Sequence, residues 1–254
     1  MRILHIASEA VPWVKTGGLA DVVGALCSHL ASSGHDVTLA LPLYRSVHAS
    51  GESIPTDVTA VRAADDRVAH VRVGTTDRGP RLLLVDVPDL FDREGLYGAD
   101  GADYPDNATR FATFVRAALA AVEELGLSPD VVHCHDWQTA LTPLLARRGT
   151  EPASSPVIFT VHNLAYQGVF APAAIDEAGL PDDAPAVVAM RQGLNANFMK
   201  AGILTADRVT TVSPTYASEL ATPSLAFGLE EWINALDPPV LGILNGIDID
   251  VWNP

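Results

Sequence analysis

Two short apolar runs joined through one amphipathic helix constrain this fold more than any other feature of the chain. RILHIA, residues 2–7, reads as a buried strand. Leu19, Val22, Val23, Leu26 and Leu30 then recur at helical spacing to about Ser33. Gly34, His35 and Asp36 form a stop, and VTLALP, residues 37–42, is a second buried strand. Strand, loop, helix, turn and strand make a βαβ unit, which lays its two strands parallel in a sheet covered by helices.

The same alternation recurs downstream. A helix is expected over residues 107–125, with Phe111, Phe114, Val115, Ala118, Leu119 and Val122 on one side and Gly126 at its end. PDVVHCHDW is a strand running into a helix over residues 138–148, and PVIFTVHN is a strand that ends in polar residues. DRVTTVSPTYASEL gives a strand, Ser213 as helix cap, Pro214 at the first helical position, and a helix. PPVLGILNGID closes with a strand and an Asn-Gly turn. Residues 67–73 and 81–87 break the rhythm: two strand-like runs across a turn read as an inserted hairpin or antiparallel edge. The expectation is an α/β fold, a doubly wound and mainly parallel Rossmann-like sheet with helices on both faces and a small inserted β-hairpin.

Composition narrows the function classes. With 31 acidic against 16 basic residues among 254, the net charge is −15, which repels phosphodiester backbones and argues against nucleic-acid binding. No apolar run is long enough to span a bilayer or to form a signal-peptide core, so a cytoplasmic protein without membrane contact is expected. The two cysteines, Cys27 in a helix and Cys134 at the end of a strand, are expected as free buried thiols.

In open parallel sheets, ligands bind beyond the carboxyl ends of the strands. Here the residues beyond each strand are polar. The first strand delivers Glu9 and the sequence Lys15-Thr16-Gly17-Gly18; the next deliver His133, His135 and Asp136, then His162 and Asn163; later strands deliver Ser213, Asn245, Gly246 and Asp248. Glycines before a helix let backbone approach a ligand, unpaired first-turn N–H groups point outward, and Lys15 adds a full charge, which together suit a phosphate. An ordinary tight turn with a solvated lysine accounts for the same four residues. The spacing matches neither G-x-x-x-x-G-K-S/T nor G-x-G-x-x-G. His133 and His135 share a strand face, but no further cluster completes a coordination set, so hydrogen-bonding or structural roles are expected and no metal. Asp136 is either a ligand-facing group or the cap of the helix that begins at Trp137. Ser213 reads as a cap.

Several long motifs, in order along nearly the whole chain, carry a resemblance. VKTGGLADVVGAL, GLYG with DYPDN, HCHDWQTAL, TVHNLAYQGVF, NFMKAGILTADRVTTVSPTYA and GILNGIDIDVWNP resemble the N-terminal half of bacterial glycogen synthases and plant starch synthases. The resemblance implies a retaining glycosyltransferase that moves glucose from ADP-glucose to the non-reducing end of an α-1,4-glucan. It implies the N-terminal domain of a GT-B fold, spanning residues 1–254 and chiefly receiving the glucan, with the nucleotide held mostly by a second domain not represented here. Lys15, with Gly17 and Gly18, would contact the donor phosphates. Asp21, Tyr97, Asn163 and Asn245 would line the sugar or acceptor region. Asp136 would orient the reacting hydroxyls, and His162 would sit beside the anomeric carbon. No metal or other cofactor is implied. Residues 180–197 and 224–232 depart from the family pattern, which leaves the acceptor side less defined. Two other readings stand beside this one: a non-catalytic protein that binds glucan or sugar phosphate, and a related transferase that uses UDP-glucose.

Overall fold

The computed structural model describes residues 1–64, 67–76, 79–147, 155–177 and 190–246. In chain order its strands are β1 (Arg2–Ile6), β2 (Asp36–Pro42), β3 (Asp57–Ala64), β4 (Arg67–Thr75), β5 (Arg81–Asp86), β6 (Gly98–Ala99), β7 (Ala102–Asp103), β8 (Val131–His135), β9 (Val157–Val161), β10 (Val169–Phe170), β11 (Arg191–Gln192), β12 (Asn195–Asn197), β13 (Arg208–Thr211) and β14 (Leu241–Gly242). One sheet takes the order β14-β13-β9-β8-β1-β2-β5-β4-β3. Every pairing from β14 to β5 is parallel, while β5–β4 and β4–β3 are antiparallel.

β1 and β2 are buried after their first residue, as expected of parallel strands covered on both faces. The chain leaves β1 towards β2 and β5 on one side, then returns to β8, β9, β13 and β14 on the other. The direction of winding therefore reverses between β1 and β8. That switch point is where an open α/β sheet leaves a crevice at its carboxyl edge.

The expected hairpin forms: β4 and β5 pair antiparallel. It is not a separate insertion, however. β5 also joins β2 in parallel, and β3, an alternating run outside every motif, extends the sheet beyond β4. The helix expected over residues 138–148 is also different, being split into Asp136–Thr139 and Thr142–Ala146 with a proline in the first turn of the second. Pro143 lacks an amide proton, and its ring collides with the carbonyl a turn earlier, so one continuous helix cannot form. The closing strand shrinks to two residues, and Asp248 lies outside the described residues, as does most of the 180–197 segment.

The Gly18–Ser32 helix packs Ala20, Val23, Gly24 and Cys27 onto the sheet side. Gly24 is required by a close approach: a Cβ there would lie 2.5 Å from both Val11 Cγ2 and the Val11 carbonyl oxygen. This contact fixes the helix against the loop after β1. The longer Asn107–Glu124 helix buries Phe111, Phe114, Val115, Ala118 and Val122, and its Asn107 Nδ2 donates to the Tyr97 carbonyl at 2.9 Å. Cys27 and Cys134 are free and buried. Ser213 caps its helix, accepting from Tyr216 N at 2.9 Å ahead of Pro214. No described helix is long and apolar enough to cross a membrane.

Candidate active site

Beyond the carboxyl ends of β1, β8, β9 and β13 lies a cleft of roughly 1110 Å³. Gly17, Gly18, Tyr97, Asp136, His162, Asn163 and Asn245 all line it, drawn from distant stretches of chain. Lys15 and Asp21 do not. Their side chains pair with one another at 2.7 Å, each partly open to solvent. In this state the lysine charge is already met by Asp21, so a phosphate would have to take Asp21's place.

The glycine loop is organised by Glu9, a buried carboxylate that the sequence places near the site without giving it a role. It accepts from Thr16 Oγ1 at 2.7 Å, from Gly17 N at 3.3 Å, from Thr16 N, and from the Tyr97 hydroxyl. Because the single Tyr97 proton goes to Glu9, Ser8 Oγ is the donor in its 2.9 Å contact with the Tyr97 oxygen. Burial, together with the neighbouring Tyr44 and Glu9, pushes the Tyr97 phenol well above its ordinary value, so it stays protonated.

Neither Gly17 nor Gly18 takes a left-handed conformation, and a Cβ on either would meet nothing within 4 Å. A tight turn therefore does not explain why glycine stands there. Open space beside the backbone is what both glycines preserve. Gly17 is the helix N-cap and offers no side-chain cap, so first-turn N–H groups remain for an anion in the cleft.

Asp136 holds the opposite wall. It sits at φ 55°, a left-handed conformation uncommon outside glycine that concentrates at functional sites. Its carboxylate does not cap the Asp136–Thr139 helix. It accepts instead from His162 N at 2.7 Å and Asn163 N at 3.4 Å, tying the ends of β8 and β9 together. Burial pushes this carboxyl up to about 7 against the opposing effect of the two amides. A carboxyl so poised can accept from, or donate to, a sugar hydroxyl near neutral pH. Asn163 turns its Oδ1 to Ala165 N at 3.0 Å.

Beneath His162 runs a line of imidazoles. His162 Nε2 lies 3.1 Å from His135 Nδ1, and His135 Nε2 lies 3.3 Å from His5 Nδ1. His133 packs beside them and bonds Thr160 Oγ1 at 2.7 Å. Burial holds His5 and His162 down to about 4 and the other two well below the usual imidazole value, so all four are neutral. No motif points to His5; its signal is register, because β1 and β8 pair it directly with His133. Among the described residues, His5, His133 and His135 form the group whose ligand atoms are close enough to share an ion, all within 4.8 Å. Of their ring nitrogens, His5 Nδ1 and His135 Nε2 are bonded to each other and His133 Nε2 to Thr160, while His5 Nε2 has no partner among the described residues.

Aromatic groups complete the rim. Trp137 meets Phe111 edge-to-face at a centroid distance of 5.1 Å and Phe170 at 5.6 Å. Gly168, at φ 61°, passes so close that a Cβ would lie 2.5 Å from the Trp137 ring. Tyr166, two-thirds exposed, and Phe227 flank the opening. Ring faces of this kind suit the apolar faces of sugars.

Comparison with known proteins identifies the family. The starch synthase catalytic domain family matches residues 2–235. A glycogen synthase of Geotalea uraniireducens is 41% identical over the whole chain, which covers 54% of that protein. One from an Anaeromyxobacter species is 44% identical, again with 54% of its length covered. Among solved structures, the catalytic domain of starch synthase IV from Arabidopsis thaliana, bound to ADP and acarbose, superposes with a TM-score of 0.85 at 34% identity, covering the whole chain and 53% of that one. A sucrose-phosphate synthase from Thermosynechococcus elongatus shares the fold alone, with a TM-score of 0.56 at 15% identity. The chain thus spans about half the length of the relatives it matches. It belongs to the starch synthase catalytic domain family of glycosyltransferases.

Proposed function

We propose that this chain is the acceptor-side, N-terminal half of a retaining glucan synthase that transfers glucose from ADP-glucose to the non-reducing end of an α-1,4-glucan. One observation carries the reading: an anion-ready helix end, Asp136 and His162 converge on a single cleft with an aromatic rim. Lys15 and the Gly17–Gly18 backbone receive the diphosphate as it gains charge. Asp136, Tyr97, Asn163 and Asn245 hold sugar hydroxyls, with Asp21 joining them once Lys15 turns to phosphate. His162 stands by the anomeric centre, where positive charge develops. Preorganised polar groups on both sides of the breaking bond lower the barrier without reorganising during the reaction. The reading requires no metal. The ADP bound in the starch synthase IV structure supports an adenosine donor.

The test combines the purified chain with the separately produced C-terminal half of a glycogen synthase, ADP-glucose and a maltooligosaccharide, and measures labelled glucose entering glucan. The expected result is no transfer by the chain alone and measurable transfer by the mixture. Calorimetry is expected to show maltooligosaccharide binding and only weak ADP-glucose binding to the chain alone. Transfer by the isolated chain, or tight ADP-glucose binding to it, would overturn this division of labour.

A further inference from the structure

Three imidazoles in series leave few ways to place their protons. His5 Nδ1 faces His135 Nε2 at 3.3 Å, and His135 Nδ1 faces His162 Nε2 at 3.1 Å. The His5 and His135 rings are tilted by only 9° with centroids 5.6 Å apart. That separation is too wide for face-to-face stacking and fits two rings joined edge to edge, in plane, through one N–H···N bond. Both contacts need one proton each. With all three rings neutral, each ring carries a single N–H, so the two bonds must run in the same direction. Either every ring donates towards His162, or every ring donates towards His5.

The far end decides the direction. His5 Nε2 is fully buried and has no partner among the described residues. If the line donated towards His5, that ring would accept at Nδ1 and keep its proton on Nε2, stranding a buried N–H. If it donates towards His162, Nε2 of His5 is only an unused lone pair. Buried N–H groups without a partner are the rarer and costlier case.

We infer that His5 and His135 act as positioning residues that hold His162 as its Nδ1–H tautomer, with the Nε2 lone pair consumed by His135. His162 then faces the cleft with a fixed hydrogen-bond donor and no free basic nitrogen. Given the proposed function, the ring contributes by donating to a sugar hydroxyl or a phosphate oxygen, and not as a general base or a nucleophile. This last consequence rests on that reading; the tautomer itself does not, and it is measured without any substrate.

The experiment is nitrogen NMR on the ¹⁵N-labelled 254-residue chain at pH 7, with long-range proton–nitrogen correlations that separate protonated from lone-pair ring nitrogens. His162 is assigned by loss of its signals in His162→Gln. The expected spectrum shows His162 protonated at Nδ1 and unprotonated at Nε2, as a single tautomer. In His5→Leu the donor at the head of the line is gone, and His162 is expected to move to a mixture of both tautomers. In His5→Asn the amide N–H stands in for Nδ1–H, and the single tautomer is expected to return. A merely structural role for His5 would not separate these two variants. A wild-type His162 protonated at Nε2, or one averaging between tautomers, overturns the inference by itself, whether or not the variants fold. So does an unchanged single tautomer in a folded His5→Leu chain. Failure of the glucan-binding assay would leave the tautomer result standing, so the two claims fail separately.

Discussion

Lys15 and Asp21 pair beside the glycine-loop wall, outside the cleft lining, with 46% and 37% of their side-chain surface in water, whereas Asp136 within the cleft is almost wholly removed from it. Both walls use carboxylates, but to opposite effect. The Lys15–Asp21 pair is solvent-screened, and exposed ion pairs of this kind contribute about 0–1 kcal/mol, so exchanging one anion for another costs little. Asp136 and the imidazoles beneath His162 are largely buried and held by hydrogen bonds, Asp136 to the His162 and Asn163 amides and the rings to one another. One wall can re-form around an arriving diphosphate; the other presents fixed polar groups whose protonation the fold has already set. Wet and dry sides should therefore respond differently to pH and to substitution.

The largest expected effect is acid lability from the dry side. His5 and His162 are held down to about 4 by burial, with His133 and His135 displaced in the same direction, against an unfolded value near 6.5. Below 6.5 the unfolded chain takes up protons that the native chain refuses, so stability falls as pH drops from about 6.5 towards 4. Asp136 has the opposite sign. Raised to about 7 by burial, it binds a proton in the native state between about 4 and 7 that the unfolded chain does not, and its contribution is lost as pH rises through 7. Four imidazoles are displaced against one carboxyl, so the histidines set the net sign and stability falls as pH drops towards 5. Urea denaturation at pH 7, 6 and 5 checks this; an unchanged midpoint would show that the histidine floor is wetter than its packing indicates.

Asp136 itself comes next. Asp136→Ala leaves the His162 and Asn163 amides without their acceptor and places alanine at φ 55°, a combined loss of about 3 kcal/mol. Asp136→Asn tolerates that backbone and keeps an accepting oxygen, so it is expected to fold within about 1 kcal/mol of the native chain. With the second half of the enzyme supplied, both variants are expected to lose transfer. A fully active Asp136→Asn would remove the ionisable carboxyl from the mechanism and leave Asp136 as a tie between strands.

The two walls are also unequally legible in the sequence. The βαβ alternation locates the parallel sheet and its carboxyl edge, because burial on both faces writes apolar runs into strands such as β1, β2 and β9. Seven of the nine residues proposed for the site line the one cleft, since a switch point gathers loops from distant segments. What escapes a reading of the sequence depends on pairing between strands. His5 looks like a core residue of RILHI until β1–β8 register sets it beside His133. Glu9 is placed at the carboxyl edge by the sequence but has no role there until the chain folds back and delivers Thr16, Gly17 and Tyr97 to it. β3 escapes because it belongs to no βαβ unit and joins the sheet only at its edge, through β4. The Lys15–Asp21 pair, six residues apart, stays hidden while each residue is set against a ligand and not against the other.

Glycines of the first helix sharpen the comparison at a smaller scale. Gly24→Ala drives a methyl into Val11 at 2.5 Å and is expected to cost about 1–3 kcal/mol by overpacking. Gly18→Ala meets open space, and its stability is expected to stay within about 1 kcal/mol of the native chain. Its effect should appear in ligand binding, as weaker protection of the loop amides when ADP is titrated and followed by NMR. If Gly18→Ala leaves the ADP titration unchanged, backbone approach is not what the open space serves.

The smallest expected effects are in stability at Lys15 and Asp21, and there the sign of the binding change is the informative part. Lys15→Met is expected to alter stability by less than about 1 kcal/mol, since it breaks one exposed pair. It should weaken ADP binding by about tenfold at low salt, with the difference shrinking as ionic strength rises and screening shortens the reach of the charge. Asp21→Asn removes the anion that now occupies Lys15, so ADP should bind at least as tightly as to the native chain and up to about fivefold tighter. If Asp21 also takes a sugar hydroxyl after Lys15 leaves it, the same variant should weaken maltooligosaccharide binding while ADP binding improves. Parallel weakening of both ligands in Asp21→Asn would mean that the carboxylate positions Lys15 for phosphate and does not compete with it, and the wet wall would then be as preorganised as the dry one.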